Sequence, residues 1–265
     1  MKIGMITCNY FMRVYNYMQP DGFNWGDMCD KWRAEFKEED FLGLAGEIRA
    51  MGYDGLEIWE PTYSYKLYSE AQAAALGAKL RDMGYTSFVY CIGGWSKASM
   101  PDIEKEYAFA KALGAKVLTG CLMQDDASEI IALLEKLGEK YDCLFAIENH
   151  PLPSVESPVK LAELIKDCKN VGANLDTGIY NMQCYDLLVA ADMLKDKIFH
   201  VHLKDTMKGG KGCLPIGDGD AAISGLLPKL KDWGYKHMVS VEFEFPTDPA
   251  PGLKKSIDYI KSIID

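Results

Sequence analysis

The sequence is short of positive charge and has no long apolar run. Its 265 residues include 29 Lys and Arg against 39 Asp and Glu, which gives a net charge of −10. An acidic chain is not attracted to nucleic-acid phosphates or to anionic lipid surfaces, so we expect no nucleic-acid partner and no membrane partner. No uninterrupted apolar run approaches the roughly 18 residues of a membrane span. The apolar start of the chain gives way to polar Asn9, which predicts a first strand rather than a signal peptide.

Paired cysteines are missing as well. The eight cysteines show no C-x-x-C spacing, and most of them stand inside apolar runs. This pattern is typical of reduced core thiols in a protein of the cytoplasm, with scattered disulfides as the alternative. We therefore expect a cytoplasmic location.

What the sequence does contain is a regular alternation of short apolar runs with longer segments of helical periodicity. Eight such pairs predict an α/β protein of the (β/α)8 TIM barrel type, with residues 1–265 as a single domain. Several predicted helices end in glycine just before the next strand, at Gly52, Gly84, Gly114 and Gly234. A doubly wound open sheet is the alternative, although the Gly-rich phosphate fingerprint that often follows its first strand is absent here.

The predicted elements follow one another without a break in the order strand, helix, strand. Strands are expected near residues 2–8, 54–59, 85–91, 115–120, 142–148, 171–176, 198–203 and 238–244. Helices are expected near residues 39–51, 69–83, 102–113, 126–140, 156–168, 184–195, 221–233 and 252–263. This is the order that a closed parallel barrel requires.

One connection departs from the rhythm. Residues 10–38 follow the first strand and are rich in aromatic residues, among them Trp25 and Trp32. So many aromatic residues argue against disorder, and connections of this length are usually functional. We predict that this βα1 loop forms a wall or lid over a site at the C-terminal face of the barrel. Contact with a second copy in a homo-oligomer is an equally good interpretation.

Four predicted strands end with a carboxylate or an imidazole. These residues are Glu148, Asp176, His202 and Glu242. The successive steps between them are 28, 26 and 40 residues, against roughly 31 for one strand–helix unit in a barrel of about 250 residues. One ligand for each successive unit is therefore expected to converge at the strand ends. Three oxygen ligands and one nitrogen ligand describe a site for one divalent metal ion, Mn²⁺, Mg²⁺, Co²⁺ or Zn²⁺.

Strand alternation separates residues at the barrel mouth from those below it. Residues i and i+2 face the same way, so His202 is expected at the mouth and His200 one layer deeper. His200 is predicted to be a hydrogen-bonded interior histidine, with a ligand role as the alternative. An ionised carboxylate beside apolar strand residues needs a counter-charge. For a single acid at a strand end, an ion pair with lysine is about as good an explanation as a bound metal. Acids at the ends of successive strands instead favour one shared cation.

These segments resemble the xylose isomerase-like superfamily of TIM barrels, the sugar phosphate isomerase/epimerase group. The similarity runs from Lys2 to the C-terminus and is most specific over residues 202–219 and around Val241-Glu242. The group includes ketose 3-epimerases, hydroxypyruvate isomerase, inosose dehydratase, 3-dehydroshikimate dehydratase and endonuclease IV. The resemblance implies that the metal ligands are the four residues named above.

The resemblance also implies a reaction. A sugar isomerase or epimerase of this kind transfers a proton next to a carbonyl through a cis-enediolate. In the epimerase branch the two metal-bound glutamates also act as acid and base, so Glu148 and Glu242 are the expected catalytic residues. A dehydratase of a cyclic polyhydroxy ketone, of the inosose or 3-dehydroshikimate type, shares the first step and is the nearest alternative. The expected substrate is a sugar or related polyhydroxy carbonyl compound, and Asp248 after the last strand favours a non-phosphorylated one.

Further residues are expected to contact the substrate. They are His150, Glu57, Trp59, Trp95, Lys204 and Lys208. Glu57 would bind a hydroxyl or pair with a lysine, and the two indole rings would pack on sugar C–H groups or in the core. His150 and Lys204 would contact substrate or orient a ligand. Lys208 lies in a basic, Gly-rich turn that would suit phosphate, although a solvated turn is the simpler interpretation.

Two positions depart from the ketose 3-epimerase pattern. Ile179 stands where those enzymes usually have a histidine, and Lys208 stands where they usually have an arginine. The four metal ligands are unaffected, so these departures concern the substrate rather than the metal.

Two other classes of function are alternatives. A DNA-repair endonuclease of this superfamily needs a trinuclear zinc site with more histidines than the four of this acidic chain, which argues against DNA repair. A non-catalytic sugar-binding barrel would not need both Glu148 and Glu242, so the intact pair of acids favours an enzyme.

Overall fold

The chain folds into a closed barrel of eight parallel strands. The computed structural model describes residues 1–96, 99–123 and 127–264. The strands are β1 (Lys2–Ile6), β2 (Gly55–Trp59), β3 (Ser87–Trp95), β4 (Val117–Leu122), β5 (Leu144–Glu148), β6 (Val171–Asp176), β7 (Ile198–Leu203) and β8 (Met238–Val241). Each strand pairs with the next in chain order, and β1 pairs with β8. The predicted (β/α)8 barrel is confirmed.

Helices separate the strands and cover the barrel. In the part of the chain that the structure describes they are α1 (Trp25–Glu35), α2 (Glu38–Ala50), α3 (Glu70–Asp82), α4 (Met100–Leu113), α5 (Ser128–Tyr141), α6 (Pro158–Ile165), α7 (Thr177–Met182), α8 (Leu187–Leu194), α9 (Ile223–Asp232) and α10 (Ala250–Ile264). Gly114 ends α4 in the left-handed region (φ 96°), as predicted for a glycine at a helix end. None of the described helices combines the length and the apolar character of a membrane span.

The barrel interior changes from apolar to polar along the strands. Val89, Val117, Ala146 and Met238 fill the end at which the strands begin. Met238 fits there because Gly4 and Gly55 have no side chains, and a Cβ on either would lie within 2.5 Å of its sulfur. Farther along the strands the interior residues are polar, so the fold brings polar side chains together at the C-terminal face.

The aromatic connection after β1 contains two 3₁₀ turns, Thr7–Tyr10 and Arg13–Tyr15, followed by α1. Trp32 is fully buried, and its Nε1 donates a hydrogen bond to a backbone carbonyl of this connection at 2.9 Å. Trp25 is 44% exposed and meets Trp59, the last residue of β2, edge to face at 6.5 Å between ring centroids. The connection therefore lies beside the barrel mouth.

Several element bounds differ from the predicted ones. β3 continues to Trp95, past the predicted end at 91, through a register shift between Cys91 and Gly94. β8 ends at Val241, so Glu242 follows the strand instead of lying within it. The helix predicted at 184–195 is α8, and the shorter α7 precedes it because Asp176 caps a new helix directly after β6. The first residue of the helix predicted at 126–140 lies outside the described residues.

Candidate metal centre

The four predicted ligands meet at the C-terminal face of the barrel. Glu148 and Asp176 are the last residues of β5 and β6, His202 lies one residue before the end of β7, and Glu242 directly follows β8. One potential ligand atom from each lies within 4.8 Å of the others. All four residues are buried, with at most 8% of any of them exposed.

The His202 ring has contacts on both nitrogens. Nδ1 lies 2.9 Å from Glu148 Oε1, 2.7 Å from Glu242 Oε2 and 4.0 Å from Asp176 Oδ2. Nε2 lies 3.0 Å from Glu57 Oε1. Despite burial, Glu57 and Glu242 raise the pKa of His202 well above its usual value, so the ring is protonated here and donates from both nitrogens. When the Nδ1 proton leaves, Nε2 still donates to Glu57 and the Nδ1 lone pair would face a bound cation. This is the arrangement of an imidazole that ligates a metal through Nδ1.

The donor set fits a divalent cation. Asp176 Oδ2 and Glu242 Oε2 are buried, and neither accepts a hydrogen bond of good geometry from the described residues. The charged groups beside them are Lys204 Nζ, 3.4 Å from Asp176 Oδ2, and His202 Nδ1, 2.7 Å from Glu242 Oε2. Burial, together with the nearby Glu242 and Glu148 carboxylates, raises the pKa of the Asp176 carboxyl to about 7, although Lys204 and His202 act in the opposite direction. A cation between these oxygens would provide both the missing partner and the missing positive charge. The mixture of carboxylate and imidazole donors suits Mn²⁺, Mg²⁺, Co²⁺ or Zn²⁺.

Lys204 lies beside the same carboxylates. Its Nζ is 2.8 Å from Glu242 Oε1, 3.2 Å from Glu244 Oε2 and 3.4 Å from Asp176 Oδ2. Burial alone would raise the pKa of Glu242, but Lys204 and His202 outweigh it and lower that pKa to about 2. The Lys204 stem crosses Gly178, where a Cβ would lie 2.5 Å from Lys204 Cγ. The glycine after Asp176-Thr177 therefore makes room for this lysine.

Glu57 lies beneath the ligands rather than at the mouth. It is fully buried, Thr119 Oγ1 donates to its Oε1 at 2.6 Å, and His200 Nε2 donates to its Oε2 at 2.8 Å. His200 is thus a hydrogen-bonded interior histidine, as predicted. His202 is a third donor to Glu57, so both of its oxygens accept hydrogen bonds within the protein. The expected contact of Glu57 with a substrate hydroxyl stays a prediction.

The second oxygen of Glu148 has contacts of its own. Cys121 Sγ lies 3.0 Å from Glu148 Oε2, and His150 Nε2 lies 2.9 Å from the same oxygen. Cys121 is buried near the end of β4, whereas 38% of the His150 side chain is exposed. His150 therefore stands beside a candidate ligand, as expected. Cys121 was not predicted, although its position near a strand end was a usable signal.

The remaining expected substrate contacts fall in different surroundings. Trp59 is buried at the mouth and packs against the rings of α1. Trp95 is buried in the core, where its Nε1 donates to Glu106 Oε2 at 2.6 Å and its ring stacks on Phe145 at 4.7 Å. Of the two alternatives given for Trp95, these contacts favour packing in the core, and a sugar contact stays untested. Lys208 is exposed in the connection that follows β7.

Two buried asparagines hold the ends of the ligand-bearing strands. Asn149 donates to the Asp176 carbonyl at 3.1 Å and accepts from the Asp176 N–H at 2.7 Å. Asn9 donates to the Val241 carbonyl at 3.0 Å and accepts from the Phe243 N–H at 2.7 Å, on either side of Glu242. The sequence did not reveal these roles. The position of Asn149 directly after Glu148 was the available signal.

Asp205 shapes the long connection after β7. Its carboxylate accepts hydrogen bonds of 2.8–3.2 Å from the backbone N–H groups of Thr206, Gly217, Gly219 and Ala221. Gly219 is needed for this approach because a Cβ there would lie 2.3 Å from Asp205 Oδ1. Asp205 therefore organises the loop next to the metal centre.

Comparisons with known proteins support the same fold. Residues 45–263 match the family model described as xylose isomerase-like TIM barrel. A xylose isomerase-like TIM barrel protein from Mycobacterium smegmatis, in complex with magnesium, has a TM-score of 0.74 at 15% identity and covers 99% of this chain and 96% of its own. The probable 3-DHS dehydratase AsbF of Bacillus anthracis, involved in petrobactin synthesis, has a TM-score of 0.73 at 14% identity and covers 98% and 99%.

A third solved structure, described as a D-tagatose 3-epimerase-like protein, has a TM-score of 0.71 at 19% identity and covers 100% of this chain and 98% of its own. At these identities the structural likeness shows the fold. No relative among the curated proteins matches the sequence significantly.

Proposed function

We propose, since this chain belongs to the xylose isomerase-like TIM barrel family, that it is a divalent-metal-dependent sugar isomerase or epimerase. One observation carries the proposal. Glu148 and Glu242 come from strands three steps apart around the barrel, and both approach His202 Nδ1, at 2.9 and 2.7 Å. Two carboxylates that reach one point from different strands provide both an acid and a base beside one substrate.

The protein's own groups account for the proton transfer. A bound divalent ion would supply a Lewis acid for the substrate carbonyl. One of the two glutamates removes the proton from the carbon beside that carbonyl, and the C–H electron pair becomes the double bond of a cis-enediolate. The ammonium of Lys204, 2.8 Å from Glu242, lies where it can stabilise the developing negative oxygen. The other glutamate returns a proton.

The position of proton return distinguishes the two reactions. Return to the opposite face of the same carbon inverts that centre, as in an epimerase. Return to the neighbouring carbon interconverts aldose and ketose. The likeness to the D-tagatose 3-epimerase-like structure favours the first. Ile179, which is buried and donates its N–H to Asp176 Oδ1 at 2.7 Å, places an apolar side chain where ketose 3-epimerases usually have a histidine.

A dehydratase of a cyclic polyhydroxy ketone is the second candidate. The likeness to the probable 3-DHS dehydratase favours it. Lys204 also favours it, because an ammonium beside the proton-abstracting Glu242 can protonate a departing hydroxyl. Both candidates share the first proton removal and differ in whether water is lost afterwards.

The proposal includes the surroundings in which the enzyme works. It would hold one divalent ion, Mn²⁺, Mg²⁺, Co²⁺ or Zn²⁺, and act on a non-phosphorylated sugar or related polyhydroxy carbonyl compound. The cysteines are free, which suits a reducing compartment such as the cytoplasm. The exposed Trp25 beside the mouth supports either a lid or contact with a second copy in a homo-oligomer.

The decisive experiment is turnover in deuterated water. Metal-saturated enzyme is incubated with a panel of ketoses, aldoses and cyclic polyhydroxy ketones, and products are followed by mass spectrometry and NMR. Deuterium is expected at the carbon beside the carbonyl, in a new epimer or isomer. Glu148→Gln and Glu242→Gln are each expected to slow exchange by roughly 10²–10⁴-fold. Glu139→Gln, on the exposed side of α5, is the matched control and should retain full turnover.

The outcomes separate the candidates. Exchange accompanied by loss of water would identify the dehydratase. Sugar binding without exchange in the wild-type protein would identify a non-catalytic binding barrel. Full turnover in both glutamine variants would remove the acid–base assignment.

A further inference from the structure

We propose that the substrate carries an apolar substituent at the end remote from its carbonyl, and that a cavity beside the metal centre binds this substituent. Such a substrate rests on the proposed isomerase or epimerase function and narrows it to one kind of sugar derivative. The cavity has a volume of about 400 Å³ and lies between the connections that follow β7 and β8. Its apolar lining consists of Met207, Cys213, Leu214, Phe245 and Pro246.

Exposed apolar side chains line this cavity from both sides. On the β8 side, Phe245 stacks on Phe243 with 5.1 Å between ring centroids and 9° between the ring planes, and 38% of Phe245 is exposed. On the β7 side, Met207 is 53% exposed. Single exposed apolar residues are common on protein surfaces, but several of them around one concavity are typical of a ligand site.

Both walls of the cavity are fixed by contacts outside it. Phe243, on which Phe245 stacks, is buried against Gly252 of α10, where a Cβ would lie 2.4 Å from the Phe243 ring. In the connection after β7, the Leu214 N–H donates to the Asp205 carbonyl at 2.8 Å. The cavity is therefore formed without a ligand, as small-molecule sites usually are.

Glu244 connects the cavity with the metal centre. It lines the cavity, and its Oε2 lies 3.2 Å from Lys204 Nζ. The same ammonium lies 2.8 Å from Glu242 Oε1. One lysine thus contacts both a candidate metal ligand and a carboxylate of the cavity lining. A sugar whose carbonyl is held at the metal centre would extend across Lys204 and place its far end in the cavity.

The size and the chemistry of the cavity favour an alkyl or aryl group. Its volume falls within the roughly 300–1,000 Å³ of small-molecule sites. A sugar hydroxyl placed against Met207 and Phe245 would give up hydrogen bonds to water without replacement, whereas an apolar group gains free energy by leaving water. Among the described residues, one cation, the exposed Lys211, and one carboxylate, that of Glu244, line the cavity. This balance of charge does not favour a phosphate group.

Sugars that differ only at C6 test the proposal. Metal-saturated protein is titrated by calorimetry with D-fructose, D-psicose, D-tagatose and D-sorbose, and with the 6-O-benzyl ether and the 6-phosphate of each. The benzyl group stands for the apolar substituent, at the end remote from the C2 carbonyl. For at least one sugar we expect the benzyl ether to bind roughly 10–100-fold more tightly than the parent sugar. The 6-phosphate should bind no more tightly than the parent.

Two variants locate the benzyl group in the cavity. Met207→Ser and Phe245→Ser should each lower the affinity for the benzyl ether by roughly 5–20-fold and leave the affinity for the parent sugar unchanged. Met193 is an exposed methionine of α8 that does not line the cavity, so Met193→Ser is the matched control and should bind all compounds like wild type. Circular dichroism checks folding, and Met207→Ser decides the test if Phe245→Ser does not fold.

The contrary results are distinct from failure of the proposed reaction. If no benzyl ether binds more tightly than its parent, or if the preference persists in both variants, the cavity assignment is wrong. Tighter binding of a 6-phosphate would overturn it in favour of a phosphate site. Dissociation of a dimer in either variant, measured by light scattering, would overturn it in favour of contact with a second copy of the chain.

Deuterium exchange measured on the same compounds separates the two proposals. Exchange into the parent sugars without any preference for the benzyl ethers would leave the isomerase or epimerase function standing and remove the cavity assignment. Preference for a benzyl ether without exchange would support the cavity and contradict the proposed reaction.

Discussion

Glu106 and Glu242 are equally exposed, at 6% each, but one carboxyl is protonated at pH 7 and the other is ionised. Burial raises the pKa of Glu106 to about 8, so this residue of α4 is neutral at pH 7. At Glu242 the nearby Lys204 and His202 overcome burial and lower the pKa to about 2, so this residue is ionised. The difference comes from the cations around each carboxyl and not from the depth at which it is buried.

The two halves of the barrel mouth also differ in charge. The half formed by β5–β8 presents the carboxylates and imidazole of the candidate metal centre. In the half formed by β1–β4, the thiols Cys8, Cys91 and Cys121 lie close enough to the carboxylates of the other half to feel their charge. Burial raises the pKa of each thiol, and nearby carboxylates raise it further. The half formed by β5–β8 thus holds charge beside cations, whereas the thiols of the other half are neutral. Glu57 of β2 departs from this division, because, despite burial, His202 and His200 lower its pKa well below its usual value.

Replacement of Lys204, the buried ammonium, should have the largest effect on the charged half of the mouth. Lys204→Met keeps the apolar stem but leaves Asp176 and Glu242 without their nearest cation. Breaking a buried ion pair costs about 3–5 kcal/mol, so we expect the free energy of unfolding of the metal-free variant to fall by that amount at pH 7. Urea denaturation with and without divalent metal measures this. Added metal should restore part of the loss, because it replaces the missing positive charge.

An exposed pair provides the control for this experiment. Lys166 pairs with Glu163 on the surface, where more than half of each side chain is exposed. Lys166→Met should leave the free energy of unfolding nearly unchanged, because solvent screens an exposed ion pair. Equal stability of metal-free Lys204→Met and wild type would contradict the view that Lys204 stabilises the charged half.

Removal of the carboxylate beneath His202 should have a smaller effect, on metal affinity. Glu57→Gln keeps the shape of the side chain, but an amide cannot accept hydrogen bonds from both histidines and Thr119 at once. Outer-sphere partners of this kind change metal affinity by roughly 10–100-fold, and we expect a loss in that range by isothermal titration calorimetry. Thr119→Val, which removes one donor and keeps the carboxylate, should lose less. Unchanged affinity in Glu57→Gln would show that His202 does not depend on this contact.

The barrel and the four candidate ligands could be predicted because both depend on periodicity. Repeated strand–helix units place one strand end after another at the same face, and a polar residue at the end of an apolar run is visible in the sequence. The position of Glu57 below the barrel mouth could also have been predicted from the sequence. Trp59 is the last inward residue of β2, so strand alternation places Glu57 one layer below it, just as it places His200 one layer below His202.

The burial of Trp95 in the core could not be predicted from strand alternation. Counting alternate residues from Cys91 gives position 95 the same orientation, toward the mouth. The register shift between Cys91 and Gly94, with Gly93 at a φ of 78°, breaks that alternation and sends the indole into the core. The Asn9 contacts were equally hidden, because they join residues more than 230 positions apart. Contacts between a side chain and a distant backbone segment across the closed barrel leave no periodic signal in the sequence.

The smallest expected effect concerns Glu106 and has a definite sign with pH. An unfolded chain releases the glutamate proton near its ordinary pKa of 4.5, whereas folded Glu106 keeps it up to about pH 8. Between these values the folded protein binds a proton that the unfolded chain does not. The free energy of unfolding therefore decreases as pH rises, by at most about 1.4 kcal/mol for each pH unit, and the decrease stops above the folded pKa.

Glu106→Gln removes this proton and keeps an acceptor for the Trp95 N–H. We expect the stability of wild type relative to this variant to fall by about 1.4 kcal/mol between pH 6 and pH 7 and to level off above pH 8. Urea denaturation of both metal-saturated proteins from pH 5 to pH 9 measures the difference, with the exposed Glu139→Gln as the control that should run parallel to wild type. A difference that is constant across this range would mean that Glu106 is already ionised in the folded protein. An ionised Glu106 would then need a cation close to its carboxylate, just as Glu242 has Lys204.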